Sequence, residues 1–212
     1  MRIAVSLWNQ AGKDAPTAAT RLHQAGAGIF HWDRSDGGFC TPGGFTWQEA
    51  STIAQQLGSR SEAHLMLSDP LKEVDPWCDF CELVAVHLES NDALGAIRRI
   101  ARRGVRPAIA ISPQTPISLL PNTFSAEIAI LVMSVVPGLA GSSFLPDSYQ
   151  RIRDLSPRAM IGVDGSVTLA RLLLLEEAGA SWVAVGTDLV NAADPALWLK
   201  QASAPKDSAF VP

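Results

Sequence analysis

Cysteine is scarce in this chain, with three among 212 residues, at positions 40, 78 and 81. An odd and sparse set excludes a disulfide framework and agrees with a reducing compartment. Cys78-Asp79-Phe80-Cys81 has CxxC spacing but lacks a second pair to complete a zinc site, so it reads as two partly buried thiols on or beside a helix. Positive charge is short as well. Seventeen Lys and Arg against 21 Asp and Glu give a net charge of -4 and a pI near 5.5, which leaves no basic footprint for nucleic acid or for an anionic membrane. No run approaches the roughly 20 apolar residues of a membrane-spanning helix. Met1-Arg2-Ile3-Ala4-Val5-Ser6 enters a strand pattern without the apolar region of a signal peptide, so a cytoplasmic location is expected. A small molecule is the expected partner.

What the chain does have is apolar residues, 47% against 18% charged, enough for one large domain with a full core. Strand-like runs alternate with helix-like stretches about eight times, the pattern of repeated βα units. The runs are 2–7, 28–33, 63–67, 83–88, 107–111, 129–135, 159–163 and 182–185. Helical patterns fill 48–57, 91–103, 148–155, 168–178 and 195–202, and the second opens at Asn91 as N-cap and stops at Gly104. Near-continuous apolar segments such as Ile128-Ala129-Ile130-Leu131-Val132-Met133 predict strands covered on both faces, as a parallel sheet requires. Eight units in about 200 residues define a compact (β/α)8 TIM barrel, expected over residues 1–202, with 203–212 as a tail. The dispersed tryptophans, Trp32 and Trp182 among them, read as packing between barrel and helices.

In such a barrel the strand ends converge on one rim. His31-Trp32-Asp33, His64 and Asp164 all stand at ends of apolar runs, and residues at i and i+2 of a strand share a face. Two histidines and two carboxylates brought together there suit one divalent cation. Mixed imidazole and carboxylate donors accommodate zinc, iron, manganese or cobalt. Glycine-rich loops follow the second, sixth, seventh and eighth strands: Asp36-Gly37-Gly38, Gly138-Leu139-Ala140-Gly141-Ser142, Gly165-Ser166 and Gly186-Thr187. Their backbone N–H groups can approach an anion closely, and the last two loops lie where this fold commonly builds a phosphate site. His87 reads as a hydrogen-bonded structural group, Asp36 as a tie across its own loop, and Met66 and Met133 as packing above the core.

The ordered segments His31-Trp32-Asp33-Arg34-Ser35-Asp36-Gly37, His64-Leu65-Met66, His87-Leu88-Glu89, Ser112-Pro113-Gln114-Thr115-Pro116, Val132 to Gly138, Ser143-Phe144-Leu145-Pro146, Val163-Asp164-Gly165 and Val185-Gly186-Thr187 resemble the ribulose-phosphate 3-epimerase family, from Ser6 to about Val190. The resemblance implies one divalent metal ion on His31, Asp33, His64 and Asp164, with Asp33 and Asp164 as the acid/base pair. It also implies substrate contacts from Ser6 and His64, with Gly138, Gly141 and Ser142 nearby and Gly165, Ser166, Gly186 and Thr187 around a phosphate. The implied partner is a phosphorylated ketose and the implied assembly a homo-oligomer. D-Ribulose 5-phosphate and D-xylulose 5-phosphate are the default pair.

Inverting the carbon beside a ketone needs one group to remove its proton and another to return one to the opposite face, which is why two carboxylates are required. A sugar-phosphate barrel without turnover is the alternative of a different class, and it would not require two opposed carboxylates. Departures from the family pattern border the ligand rather than the metal. Ser35 replaces a methionine, Ala140 and Ser142 a glycine and a glutamine, and Ser166 the second glycine after Asp164. The small residues near Asp164, Gly138 and Gly186 lean toward an allulose-6-phosphate 3-epimerase.

Overall fold

The computed structural model describes residues 1–12, 14–38, 40–121, 127–136 and 142–204; Gly138, Gly141 and most of the expected tail lie outside the described residues. Eight parallel strands form the barrel: β1 (Arg2–Ser6), β2 (Ile29–Ser35), β3 (Arg60–Met66), β4 (Leu83–His87), β5 (Arg106–Ile111), β6 (Ala129–Met133), β7 (Ile161–Asp164) and β8 (Ala180–Val185). Each pairs with its neighbours in sequence, and β1 pairs with both β2 and β8, which closes the sheet. Closure leaves no unpaired edge among these strands. The sequence reading therefore gave the right strands in the right order, with shifted ends. Strand β3 starts three residues before the expected Ala63, β6 stops at Met133, and β7 runs on to Asp164.

Helices cover the outside: α1 (Ala15–Gln24), α2 (Trp47–Leu57), α3 (Val74–Trp77), α4 (Ala93–Arg102), α5 (Asp147–Leu155), α6 (Leu172–Glu177), α7 (Thr187–Val190) and α8 (Pro195–Ser203). Local chemistry sets their limits. Helix α2 begins at a reciprocal capping box between Thr46 and Glu49 and ends at Gly58 in the left-handed region. Helix α4 is capped by Asp92, not by the expected Asn91. The Asp92 carboxylate accepts from the Gly95 N–H at 3.0 Å, whereas the Asn91 N–H is already donated to the Ser68 carbonyl. The expected helix over 168–178 divides into a 3-10 turn, Leu169–Arg171, and α6. Cys78 follows α3 directly. Both Cys78 and Cys81 are buried free thiols, and burial pushes the first up to about 11.

The main core lies between barrel and helices. Trp32 belongs to it, buried against Phe30 and edge-on to Phe45, with its indole N–H donated to Ser61. Trp182 does not, which corrects the reading made for it. It packs with Leu83, Ala85, Ala108, Ala110 and Leu131 inside the barrel. Two features turn it inward. The β7–β8 register slips between Ile161 and Gly162, and Gly162 supplies the space, since a Cβ there would stand 2.2 Å from the indole ring. This ring fills the lower interior. No described helix is long and apolar enough to cross a membrane.

Candidate active site

At the upper end of the barrel the inward positions change from apolar to ionisable. His31 and Asp33 alternate along β2, Glu62 and His64 along β3, and Asp164 ends β7. In strands β2 and β3 the period of two aims His31, Asp33, Glu62 and His64 at the interior. His31, Asp33 and His64 are buried, and Asp164 is partly exposed at the mouth. His31 Nε2 lies 3.4 Å from Asp33 Oδ1 and 4.0 Å from Asp164 Oδ2; His64 Nδ1 lies 3.1 and 3.4 Å from the same two oxygens. The sequence-predicted quartet is one cluster.

Its fit to a cation can be judged from the donors themselves. Nitrogen and oxygen ligands at about 2.0–2.2 Å from one ion stand roughly 3–4.5 Å apart. One ligand atom from each of His31, Asp33, His64 and Asp164 lies within 4.8 Å of all the others. His31 Nε2 is also a buried nitrogen with no hydrogen-bond partner among the described residues, and it faces the two aspartate oxygens. These residues could hold a divalent cation, and a set of two imidazoles and two carboxylates suits a transition metal better than calcium.

Behind each histidine stands a group that fixes its ring. His31 Nδ1 is 2.7 Å from Glu62 Oε1, and the other Glu62 oxygen accepts from Arg2 at 2.6 Å. Arg2 also reaches Glu82 at 2.7 Å, while its guanidinium lies 5.6 Å from the centre of the Trp182 ring system. His64 Nε2 is 2.9 Å from His87 Nε2, and His87 Nδ1 is 3.1 Å from Glu89 Oε2. Carboxylates behind ligand histidines orient them and make them better donors. His87 thus holds the structural position expected of it. Glu62 was not anticipated, although its place two residues before His64 on the same strand face was the available signal.

The charges of the cluster shift one another. Burial opposes charge on His31, yet Asp33 and Glu62 outweigh it and raise the imidazole well above 6.5. Burial likewise acts against His64, and bonds to Asp164 and Asp33 raise it. Asp33 moves the other way, far below the usual carboxylate range, because His31 and His64 overcome its desolvation. His87 is lowered, chiefly by burial, which favours the neutral ring. Glu89 falls to about 2: its desolvation is outweighed by bonds from His87, Thr115 and the Ser112 N–H.

A pocket of about 460 Å³ opens above the cluster, within the range for small-molecule sites. Asp33 and Asp164 face it, whereas His31 and His64 are not part of its wall. Met66 and Met133 line it beside them, so the methionines read as packing also form the apolar flank of the cavity. Ser6 lines it and donates to Asp33 Oδ2 at 2.8 Å. Ser142, Gly165, Ser166, Gly186 and Thr187 line the other side. Gly165 has φ +110, and a Cβ there would meet Val135 at 2.4 Å, so no other residue fits. Ser166 follows in the left-handed region at φ +49, its hydroxyl donated to the Ser142 carbonyl. Asn9 ties the loop after β1 to Thr187 Oγ1 at 2.7 Å. Asp36 accepts from the N–H groups of Gly38 and Ser68, which is the loop tie expected of it. Trp8 and Arg171 also line it without having been assigned a role from the sequence, and Phe144 lines it from the Ser143-Phe144-Leu145-Pro146 segment that resembles the family.

A barrel of eight βα units with ionisable groups clustered at the C-terminal rim, under one pocket, is a (β/α)8 enzyme of the kind that works on a small ligand. The sequence model of the ribulose-phosphate 3-epimerase family matches residues 2–190. The chain belongs to that family, and it is an isomerase, an epimerase acting on carbohydrates. The ribulose-phosphate 3-epimerase of Aquifex aeolicus is 27% identical over 180 residues, 81% of each chain. That of Eremothecium gossypii is 30% identical over 190 residues, covering 82% of this chain and 80% of its own. Among solved structures, 3-hexulose-6-phosphate synthase from Salmonella typhimurium shares the fold at a TM-score of 0.70 and 15% identity, over 95% of this chain and 96% of that one.

Proposed function

We propose that the protein is a metal-dependent 3-epimerase of a ketose phosphate, with D-ribulose 5-phosphate and D-xylulose 5-phosphate as its pair. The observation that carries this reading is the placement of Asp33 and Asp164, which flank the pocket from strands three positions apart around the barrel, with His31 and His64 between and beneath them. Family membership supports the ketose phosphate as substrate class.

In this mechanism one aspartate enters as carboxylate and the other carries a proton. The carboxylate takes the hydrogen from C3. The electrons of that C–H bond move onto the neighbouring carbonyl oxygen and leave an enediolate, and the second aspartate then protonates C3 from the opposite face. The roles exchange for the reverse reaction. Ser6 holds the Asp33 carboxylate in place by its hydroxyl hydrogen bond. Met66 and Met133 keep water away from the reacting carbons. A divalent cation on the four-residue cluster supplies Lewis acidity for the developing negative charge and offsets repulsion between the two aspartates. The N–H groups of Gly165, Ser166, Gly186 and Thr187 receive the phosphate.

A panel of phosphorylated pentuloses and hexuloses, run in deuterated water with metal-supplemented and chelated protein, tests the reading. Epimerisation of a pentulose phosphate, with deuterium entering C3 and activity lost on chelation, is expected. A preference for a hexulose phosphate would move the substrate assignment to the allulose type. Epimerisation without label at C3 would remove the two-aspartate mechanism.

A further inference from the structure

We infer that Arg171 is the charged recognition group for the substrate's phosphate, so that this chain selects a dianionic ligand by a side-chain cation as well as by loop N–H groups. The inference rests on the ketose-phosphate reading above and assigns that pocket a residue which the family resemblance did not supply.

Among the described residues that line the pocket, Arg171 is the single cation, whereas Asp33, Asp164 and Asp188 are all acidic. Arg171 makes no ion pair with any of them. Asp188 is engaged elsewhere, its Oδ2 accepting from the Leu169 N–H at 2.9 Å and from the Trp198 indole at 2.8 Å. The guanidinium is nevertheless held. Its carbon lies 5.1 Å from the centre of the Phe144 ring, and Nη1 donates to Thr168 Oγ1 at 3.1 Å and to the Ser166 carbonyl at 3.4 Å. Among the described residues Nε and Nη2 have no acceptor, which leaves a planar pair of donors on a positioned cation.

Position within the pocket decides what that cation serves. Arg171 closes the 3-10 turn after β7, and its bond to Ser166 ties it to the loop formed by Gly165 and Ser166. The Ser166 hydroxyl cannot help an anion there, because it is donated to the Ser142 carbonyl. A phosphate received by N–H groups alone would sit in a pocket whose other charges, among the described residues, are all carboxylates. Arg171 offers a paired, charge-assisted contact for two phosphate oxygens, which a point charge such as lysine does not reproduce.

The test uses inorganic phosphate first and ketose phosphates second. Calorimetric titration of the intact protein with inorganic phosphate should show saturable binding, weakened in R171Q on the order of 10- to 100-fold, as for loss of a hydrogen-bonded charge. R171K should recover part of that loss, and the thermal midpoints of all three proteins should agree. With ketose phosphates, R171Q should raise KM by a similar factor and lower kcat much less. Phosphate binding that is equal in parent and R171Q, or absent from the parent, overturns the proposal, as does a kcat loss at unchanged KM. Should R171Q fail to fold, R171K must still weaken phosphate binding, and equality with the parent overturns the proposal. The two readings fail separately. A parent that turns over no ketose phosphate, yet binds inorganic phosphate through Arg171, removes the epimerase assignment and sustains the role of Arg171.

Discussion

His64 and His87 meet through their Nε2 atoms at 2.9 Å, so one nitrogen must carry the proton and the other must accept it. The neighbours decide which. Glu89 faces His87 Nδ1 and calls for a proton there, which leaves His87 Nε2 as the acceptor and puts a proton on His64 Nε2. In the neutral ring, His64 Nδ1, turned toward Asp33 and Asp164, then carries the lone pair that a metal would take. The HxE segment that begins at the last residue of β4 thereby sets the state of a residue on β3.

Removing that acceptor should loosen the metal without removing a ligand. H87F, which keeps a ring in a fully buried position, should lower metal affinity about 10- to 100-fold in chelator competition, and H87Q, which retains an acceptor oxygen, should lose less. H64A should lose metal and activity together. Purified H64A with the parent's metal content would contradict the four-residue site.

For the chemistry, D164N is the sharpest substitution. An amide cannot carry the proton, and epimerisation should fall on the order of 10²-fold or more. Metal content must be measured on the same sample. Full activity in metal-loaded D164N would exclude Asp164 from proton transfer.

The phosphate end can be tested at Gly186. A Cβ there would stand 3.6 Å from the Ser6 carbonyl oxygen and 3.8 Å from its side chain, an ordinary contact, so G186V should fold. Its branched side chain would crowd the approach to the loop N–H groups, and KM for ketose phosphates should rise on the order of 10-fold or more. Unchanged KM would locate the phosphate elsewhere.

The pH dependence of the metal-free protein follows from His31, whose folded value lies above its unfolded 6.5. Its contribution to stability is fully present below 6.5 and is lost as pH rises through the folded value. Asp33, lowered from 3.8, acts in the opposite window: its contribution is present above 3.8 and lost as pH falls through its folded value. Denaturant midpoints from about pH 6 to about pH 9 should therefore decline more in the parent than in H31Q. A metal must displace the His31 proton, so its affinity should increase over the same range. Parallel curves for parent and H31Q would refute the assignment.

The barrel was legible because each strand is a short apolar run, and the metal quartet because its members sit at the ends of such runs. Strand β3 shows where that signal stops. Its first three residues, Arg60, Ser61 and Glu62, are polar and fall outside the apolar run, yet they pair with β2, and Arg2 and His31 receive Glu62 inside the barrel. Trp182 was misplaced for a related reason. In a strand buried on both faces, alternation does not say which face is the interior, and the bulge beside Gly162 decides it. Arg171 falls inside the helical pattern read over 168–178, where the chain forms a 3-10 turn instead, so its place in the pocket emerges only from the packing of Phe144 and Thr168 around it.

Arg2 and Glu62 lie on β1 and β3 and Glu82 immediately before β4, and their ion pairs form only when the sheet has curled far enough to bring those segments together. During synthesis β1 emerges first and must wait for about 80 further residues before this network is complete. Glu62 leaves water only once Arg2 and His31 stand beside it. The setting of His31 through Glu62 is thus tied to the curling of the first strands rather than to their pairing alone, and strands held in order without that curl would lack a competent site.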